Sequence, residues 1–228
     1  MKPETLAYYR RLSETYDETI RQLVPAYDEM TALVVERITR RSPHTVLDVG
    51  CGTGTLSEQV LDRLPEVAVT ALDASPEMIG HAQARLGRFG RRARLVEGDV
   101  ATCRLEPGFD VVFSSLVLHN IPFGSKTAVL RSVVRLLAPS GTFVWADLIR
   151  HASPARQAEA VAFRREFALR AGCDPGFVEL NFHKEANADS PLTVEQMANA
   201  VAGTGSMTSG VVWAHDTFAV LEFERGAA

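Results

Sequence analysis

Short apolar runs alternate along this chain with stretches whose apolar residues recur every third or fourth position. The runs at 45–49, 67–72, 93–97, 109–114 and 142–148 predict strands, and the periodic stretches at 54–64, 76–86 and 124–138 predict helices. Such alternation makes a parallel sheet covered by helices on both faces. Upstream, residues 4–41 are helix-like, with Leu6, Tyr9, Leu12 and Tyr16, then Met30, Leu33, Val34 and Ile38, at helical spacing. Pro25 divides this segment into a short helix, a bend and a longer helix that Pro43 closes. From 150 to 190 the pattern changes to a helix at 154–171, a Gly172–Gly176 turn and a second short helix. That is too long for a plain connection. Two readings stay open: a helical lid, which we favour, or a packing element that would make a homodimer. Thr193 caps a helix over 195–202, and 211–213 and 218–223 form the last two strands, tightly connected. The expected organisation is one domain over 1–228. It comprises an N-terminal helical cap (1–41), a core (42–149), a lid insertion (150–190) and a C-terminal helix with a β-hairpin (191–228).

Composition narrows the partners. With 228 residues and 46% hydrophobic content the chain can bury a sizeable core. A net charge of −4 argues against a nucleic-acid backbone as partner. The Arg88, Arg91, Arg92 and Arg94 cluster has no aromatic beyond Phe89 and reads as a solvated loop. Three cysteines without metal-ligand spacing suit a reducing cytosol, and we expect no metal. No run reaches membrane-spanning length and no secretory leader is evident, so a soluble cytoplasmic protein is expected.

The chemistry gathers at Val46-Leu47-Asp48-Val49-Gly50-Cys51-Gly52-Thr53-Gly54, a buried strand entering a glycine-rich turn that opens a helix. Such a turn brings bare backbone N–H groups close to a ligand. Asp73 follows about twenty residues later at the end of the next strand, where an acid can grip a ribose diol. The dinucleotide fingerprint wants a small residue where Thr55 stands. Asp48 beside the turn would repel a pyrophosphate but suits an ammonium or sulfonium. Each feature also has a structural reading: a tight turn, a helix cap at Asp73 or Ser75, an ordinary loop acid at Asp99. Their order and spacing together favour a ligand.

On these residues the chain resembles class I S-adenosylmethionine-dependent methyltransferases, from about Thr45 to about Arg225. The resemblance implies a Rossmann-like three-layer α/β sandwich. Its seven-stranded sheet would be mostly parallel, with the last strand antiparallel between its two neighbours. It also implies S-adenosylmethionine as cofactor. The methionyl end would lie on Asp48, Gly50, Cys51, Gly52, Gly54 and Ser115, the ribose hydroxyls on Asp73, and the adenine near Ala74, Met78, Asp99 and Val100. Ser140 in Leu137-Ala138-Pro139-Ser140-Gly141-Thr142 departs from a frequent glycine. The Tyr16-Asp17 pair resembles a cap motif whose hydroxyl reaches cofactor or substrate; packing of an amphipathic helix is the other reading.

The acceptor is expected to be a small molecule. If it is a hydroxyl or a protonated amine, a base is needed, and His119 after the fourth strand is the candidate. A structural or cofactor-positioning role for it stays open. Asp147 could orient a substrate amine or hydroxyl, and Asn181 and His183 could touch substrate from the lid. No Asn-Pro-Pro-Tyr-type motif, addition cysteine or cation-binding acidic pair is evident. Small-molecule O-, N- or C-methylation is therefore the main reading. The alternatives are other S-adenosylmethionine chemistry releasing methylthioadenosine, and a non-catalytic cofactor-binding domain.

Overall fold

Alternate residues along each central strand are apolar on both sides, so the sheet needs cover on both faces. The computed structural model describes residues 3–205 and 207–225 and supplies that cover. Residues 1–2, 206 and 226–228 of the expected cap and C-terminal unit lie outside the described residues. Among the described residues, seven strands form one sheet in the order β3-β2-β1-β4-β5-β7-β6. They are β1 (Thr45–Val49), β2 (Ala68–Asp73), β3 (Ala93–Glu97), β4 (Phe109–Ser115), β5 (Leu137–Leu148), β6 (Met207–His215) and β7 (Phe218–Arg225). Strands β1 to β5 pair in parallel, and β7 enters antiparallel between β5 and β6, as the resemblance implies.

One face carries Val46, Val111, Phe113 and Val144 against α3 (Tyr27–Thr39), α4 (Thr55–Arg63) and α5 (Pro76–Leu86). The other carries Leu47, Val112, Phe143 and Trp145 against α6 (Phe123–Leu136) and α9 (Val194–Ala202). The caps follow local chemistry. Ser75 Oγ accepts from Met78 N ahead of Pro76, and Thr193 forms a reciprocal capping box with Gln196.

Four boundaries differ from expectation. The first cap helix is itself divided: α1 (Pro3–Leu12) passes through a 3-10 turn at Ser13–Thr15 into α2 (Tyr16–Leu23), with Ser13 Oγ turned back onto Arg10 O. The bend at Pro25 is where expected, with Ala26 in the left-handed region at φ 56°. Strand β5 begins at Leu137, because Pro139 biases the residue before it toward extended backbone. Strand β6 runs well beyond 211–213; after Met207 it continues through the polar Thr208 and Ser209, which suits a sheet edge. The lid region holds α7 (Pro154–Arg170) and α8 (Pro175–Ala188), and α8, at 14 residues, is longer than the short helix expected.

Candidate active site

The carboxyl ends of β1, β2 and β4 meet at the glycine turn. Gly50, Gly52 and Gly54 all take positive φ, at 78°, 55° and 83°. A Cβ on Gly50 would lie 2.4 Å from Val117 Cγ2, so any side chain there would displace the loop after β4. Gly54 has the different job of letting α4 approach α5, since a Cβ there would sit 3.2 Å from Leu86. The turn is pinned to β2: Gly50 N and Cys51 N donate to Leu72 O at 2.7 and 3.0 Å. Asp73 Oδ2 accepts from Gly52 N at 2.9 Å, and its Oδ1 from Ser75 N at 2.9 Å.

Three adjoining hollows follow this edge. One of about 400 Å³ lies between Gly50, Gly52, Asp73, Met78 and the cap residues Tyr9 and Tyr16. Another, about 360 Å³, is lined by Asp73, Ala74, Asp99 and Val100. The third, about 390 Å³, is lined by Asp48, Cys51, Ser115 and Tyr16. Every residue assigned to the cofactor by resemblance, apart from Gly54, lines at least one of them.

Electrostatically the edge is acidic. Asp48 is buried, and that burial pushes its carboxyl up to about 7, against a hydrogen bond from Ser57 and with help from the charge of Asp73. Burial likewise raises Asp73, opposed by its backbone N–H donors. Two carboxylates held above their ordinary range would both be eased by a cationic ligand. Because the folded value for Asp48 exceeds the ordinary 3.8, the folded state binds the extra proton and loses stability as pH rises from about 4 to about 7. Asp48→Asn is therefore expected to raise the melting temperature of the ligand-free protein more at pH ~8 than at pH ~5. An equal gain at both would mean that Asp48 ionises as easily folded as unfolded.

A separate cavity of about 520 Å³ lies between the N-terminal helices and α7 and α8. Tyr9, Tyr16 and Leu116 line both this cavity and the first hollow and so form the wall between them. Leu116 adopts φ 58°, a strained value for a branched side chain, where the chain leaves β4. Burial holds the Tyr16 phenol well above its ordinary range, which keeps it a neutral hydroxyl.

His119 lines the second cavity from the 3-10 turn Leu118–Asn120. That turn is held on several sides: Lys126 Nζ donates to Leu118 O at 2.5 Å, Ser190 N to His119 O at 2.7 Å, and His119 N to Asp147 Oδ2 at 2.9 Å. His119 Nδ1 lies 2.5 Å from Asp147 Oδ1. With a carboxylate there, the Nδ1 proton is assigned to that bond and Nε2 keeps its lone pair.

Asp147 does not reach the cavity as a substrate ligand. Besides His119, its oxygens accept from Trp145 Nε1 at 2.8 Å and Leu148 N at 2.9 Å, and the residue is 1% exposed. Asn181 does line the cavity, accepting from Tyr8 Oη at 2.7 Å. His183 does not: it is exposed and meets only its helix neighbour Asn187 among the hydrogen bonds found. Residues two apart on a helix face opposite ways, and α8 turns 181, 184, 185 and 188 inward.

Sequence reasoning missed Lys184, Glu185, Asp189 and Arg164, all on this cavity. It also missed the partner of the cap. Asp17 Oδ1 accepts from Thr53 Oγ1 at 2.6 Å and Thr55 Oγ1 at 3.2 Å, while Arg85 Nη2 donates to its Oδ2 at 2.5 Å, so α2 is tied to the glycine turn. Among the described residues no group of His, Cys, Asp or Glu could hold a metal ion, and no helix is long and apolar enough to cross a membrane.

Comparison with known proteins places this geometry. Residues 46–141 match a family described as a methyltransferase domain. A trans-aconitate 2-methyltransferase from Methylobacterium nodulans is 35% identical over 117 residues, 50% of this chain and 43% of the relative. A carboxy-S-adenosyl-L-methionine synthase from Chromohalobacter salexigens is 31% identical over 141 residues, 59% of this chain and 52% of the relative. The chain thus spans about half the length of these curated relatives. A solved DhpI–SAM–HEP complex superposes with a TM-score of 0.67 at 20% identity, covering 96% of this chain and 95% of that one, which shows a shared fold.

Proposed function

We propose that this chain, whose residues 46–141 match a methyltransferase domain, is a class I S-adenosylmethionine-dependent methyltransferase that methylates a hydroxyl of a small molecule. The buried His119–Asp147 pair, which opens on a second cavity sharing a wall with the cofactor hollow, supports an acceptor that must lose a proton. The Lys184 ammonium already over Tyr8 and Tyr9 favours a hydroxyl over an amine.

The residues present fit the cofactor. At Gly52 the turn leaves open space that a side chain would fill, and the raised carboxyls of Asp48 and Asp73 would be eased by a positive ligand. Bound there, S-adenosylmethionine supplies a methyl group already activated on a sulfonium. Asp73 would accept from the ribose hydroxyls. Asp99, with Ala74, Met78 and Val100 around it, would take the adenine. Asp48, Cys51, Ser115 and the turn N–H groups would hold the methionyl end. Tyr16, a neutral hydroxyl on the shared wall, orients what lies on either side.

The cap and lid exclude water, which otherwise masks both partners. With the cofactor bound, His119 Nε2 would take the proton of the acceptor hydroxyl as that oxygen is methylated, the electron pair of the broken C–S bond staying on sulfur. Asp147 holds the ring and balances the imidazolium. Alignment contributes up to roughly 7–11 kcal/mol of the barrier reduction when reacting atoms sit about 3 Å apart. His119 would have little to do if a carbanion were the acceptor.

The three free cysteines, Cys51, Cys103 and Cys173, support a cytoplasmic location. The residues that α7 and α8 contribute to the cavity support the lid reading of 150–190 over a homodimer element. The test is product analysis after incubation with S-adenosylmethionine and a panel of hydroxylated small molecules. S-adenosylhomocysteine in step with a methyl ether is expected. Methylthioadenosine would point to transfer of the aminocarboxypropyl chain, and cofactor binding without turnover of any acceptor would point to a non-catalytic domain.

A further inference from the structure

The charge state of the acceptor can be read from how the second cavity's own charges are matched, provided that the cavity is the acceptor site of a methyltransferase as proposed above. Four side chains of fixed charge reach it: Arg164, Lys184, Glu185 and Asp189. They neutralise one another in pairs. Arg164, 2% exposed, donates from Nη1 to Glu185 Oε2 at 2.9 Å and from Nη2 to Glu185 Oε1 at 2.5 Å, an end-on bidentate pair. Lys184 Nζ lies 3.0 Å from Asp189 Oδ2 and 2.6 Å from Asn120 Oδ1, and sits 5.2 Å from the ring centres of both Tyr8 and Tyr9.

An acceptor bearing a carboxylate would bring a third anion beside Glu185 and Asp189, with Lys184 and both terminal nitrogens of Arg164 already engaged. Burying such a charge without its own partner is costly. An acceptor bearing an ammonium fares no better, because the aromatic cage suited to one already holds the ammonium of Lys184. The rest of the wall is neutral and largely apolar, with Leu12, Ile20, Leu23, Leu148 and Phe218 beside the phenols of Tyr8, Tyr9 and Tyr16 and the polar His119 and Asn181. The reaction itself calls for no anion on the acceptor. The proton released to His119 makes an imidazolium that already faces Asp147 at 2.5 Å and Asp189 at 3.9 Å.

We infer that the acceptor is an uncharged hydroxyl compound with a mostly apolar body, a phenol or aromatic alcohol in type. Glu185 and Asp189 enforce this choice by neutralising Arg164 and Lys184, which would otherwise recruit a carboxylate.

The experiment compares a naphthol with the hydroxynaphthoate that adds one carboxylate to it. Affinities are measured by calorimetry on protein saturated with S-adenosylhomocysteine, followed by initial methylation rates. The wild type is expected to bind the naphthol about tenfold or more tightly than the hydroxynaphthoate. Glu185→Gln and Asp189→Asn, each checked for native circular dichroism, are expected to shrink that ratio about fivefold or more by freeing a cation. A wild type that favours the hydroxynaphthoate or treats the two alike overturns the proposal, whether or not either variant folds. So does a folded variant whose ratio is unchanged. Failure to bind S-adenosylhomocysteine at all would remove the methyltransferase reading instead, and the proposal with it.

Discussion

His119→Ala is expected to lower kcat by about a hundredfold or more while leaving the affinity for S-adenosylhomocysteine unchanged. Among the described residues on the second cavity, the imidazole is the one group that combines a lone pair at Nε2 with a buried carboxylate fixing the opposite nitrogen. Removing it takes away the proton acceptor and leaves the glycine turn and Asp73 untouched. Added imidazole should restore part of the rate by entering the vacated space, which a purely structural histidine would not allow. Asp147→Asn should be as damaging for a further reason. Asp147 accepts from four donors: His119 N, His119 Nδ1, Trp145 Nε1 and Leu148 N. An amide has one oxygen to offer, so its NH2 must face two of those N–H groups. Facing the ring, it would also drive the proton onto Nε2 and spoil the base. Both melting temperature and kcat should fall. A His119→Ala enzyme with near-normal turnover would reduce the histidine to a positioning element and remove the argument for a hydroxyl acceptor.

How far the sequence announces this site depends on the range over which its parts communicate. The glycine turn and Asp73 are legible because their job is local: one strand, one turn and the end of the next strand contain them. The central strands are legible because cover on both faces leaves nearly every position apolar, as in Val111-Val112-Phe113. The partner of His119 is harder. Asp147 lies 28 residues away, and the two meet only because β4 and β5 are neighbours with Ser115 opposite Ala146. The alternation of the chain predicts a parallel sheet but not this register.

The 150–190 region is harder still. Arg164 and Glu185 sit on different helices 21 residues apart, and each looks like an ordinary solvated charge until the helices pack. Helical spacing from Asn181 does point to Lys184 and Glu185 and away from His183, so that part was available and needed only the period to be applied. The bond from Asp17 to Thr53 spans 36 residues and has no counterpart in any pattern of the chain. It is a consequence of where the cap docks.

Asp73→Ala is expected to weaken binding of S-adenosylmethionine and its demethylated product by roughly 1.5–3 kcal/mol, about ten- to a hundredfold. The magnitude is that of charge-assisted hydrogen bonds to a carboxylate, and the structure adds a second route to the same loss. Asp73 Oδ2 already accepts from Gly52 N and Oδ1 from Ser75 N, so the side chain also fixes the turn against β2 before any ligand arrives. Alanine would release Gly52, whose φ of 55° the turn needs, and the cradle would have to be re-formed on binding. Asp73→Asn separates the two routes. Its single oxygen can keep the Gly52 or the Ser75 bond but cannot accept from two ribose hydroxyls with full charge. If the ribose contact dominates, asparagine should lose nearly as much affinity as alanine, with a melting temperature close to wild type. If turn fixation dominates, asparagine should recover most of the affinity. Calorimetry with S-adenosylhomocysteine on all three proteins decides between them, and an alanine variant that binds like the wild type would contradict both, because the partly buried carboxylate at the end of β2 would then contribute nothing to binding.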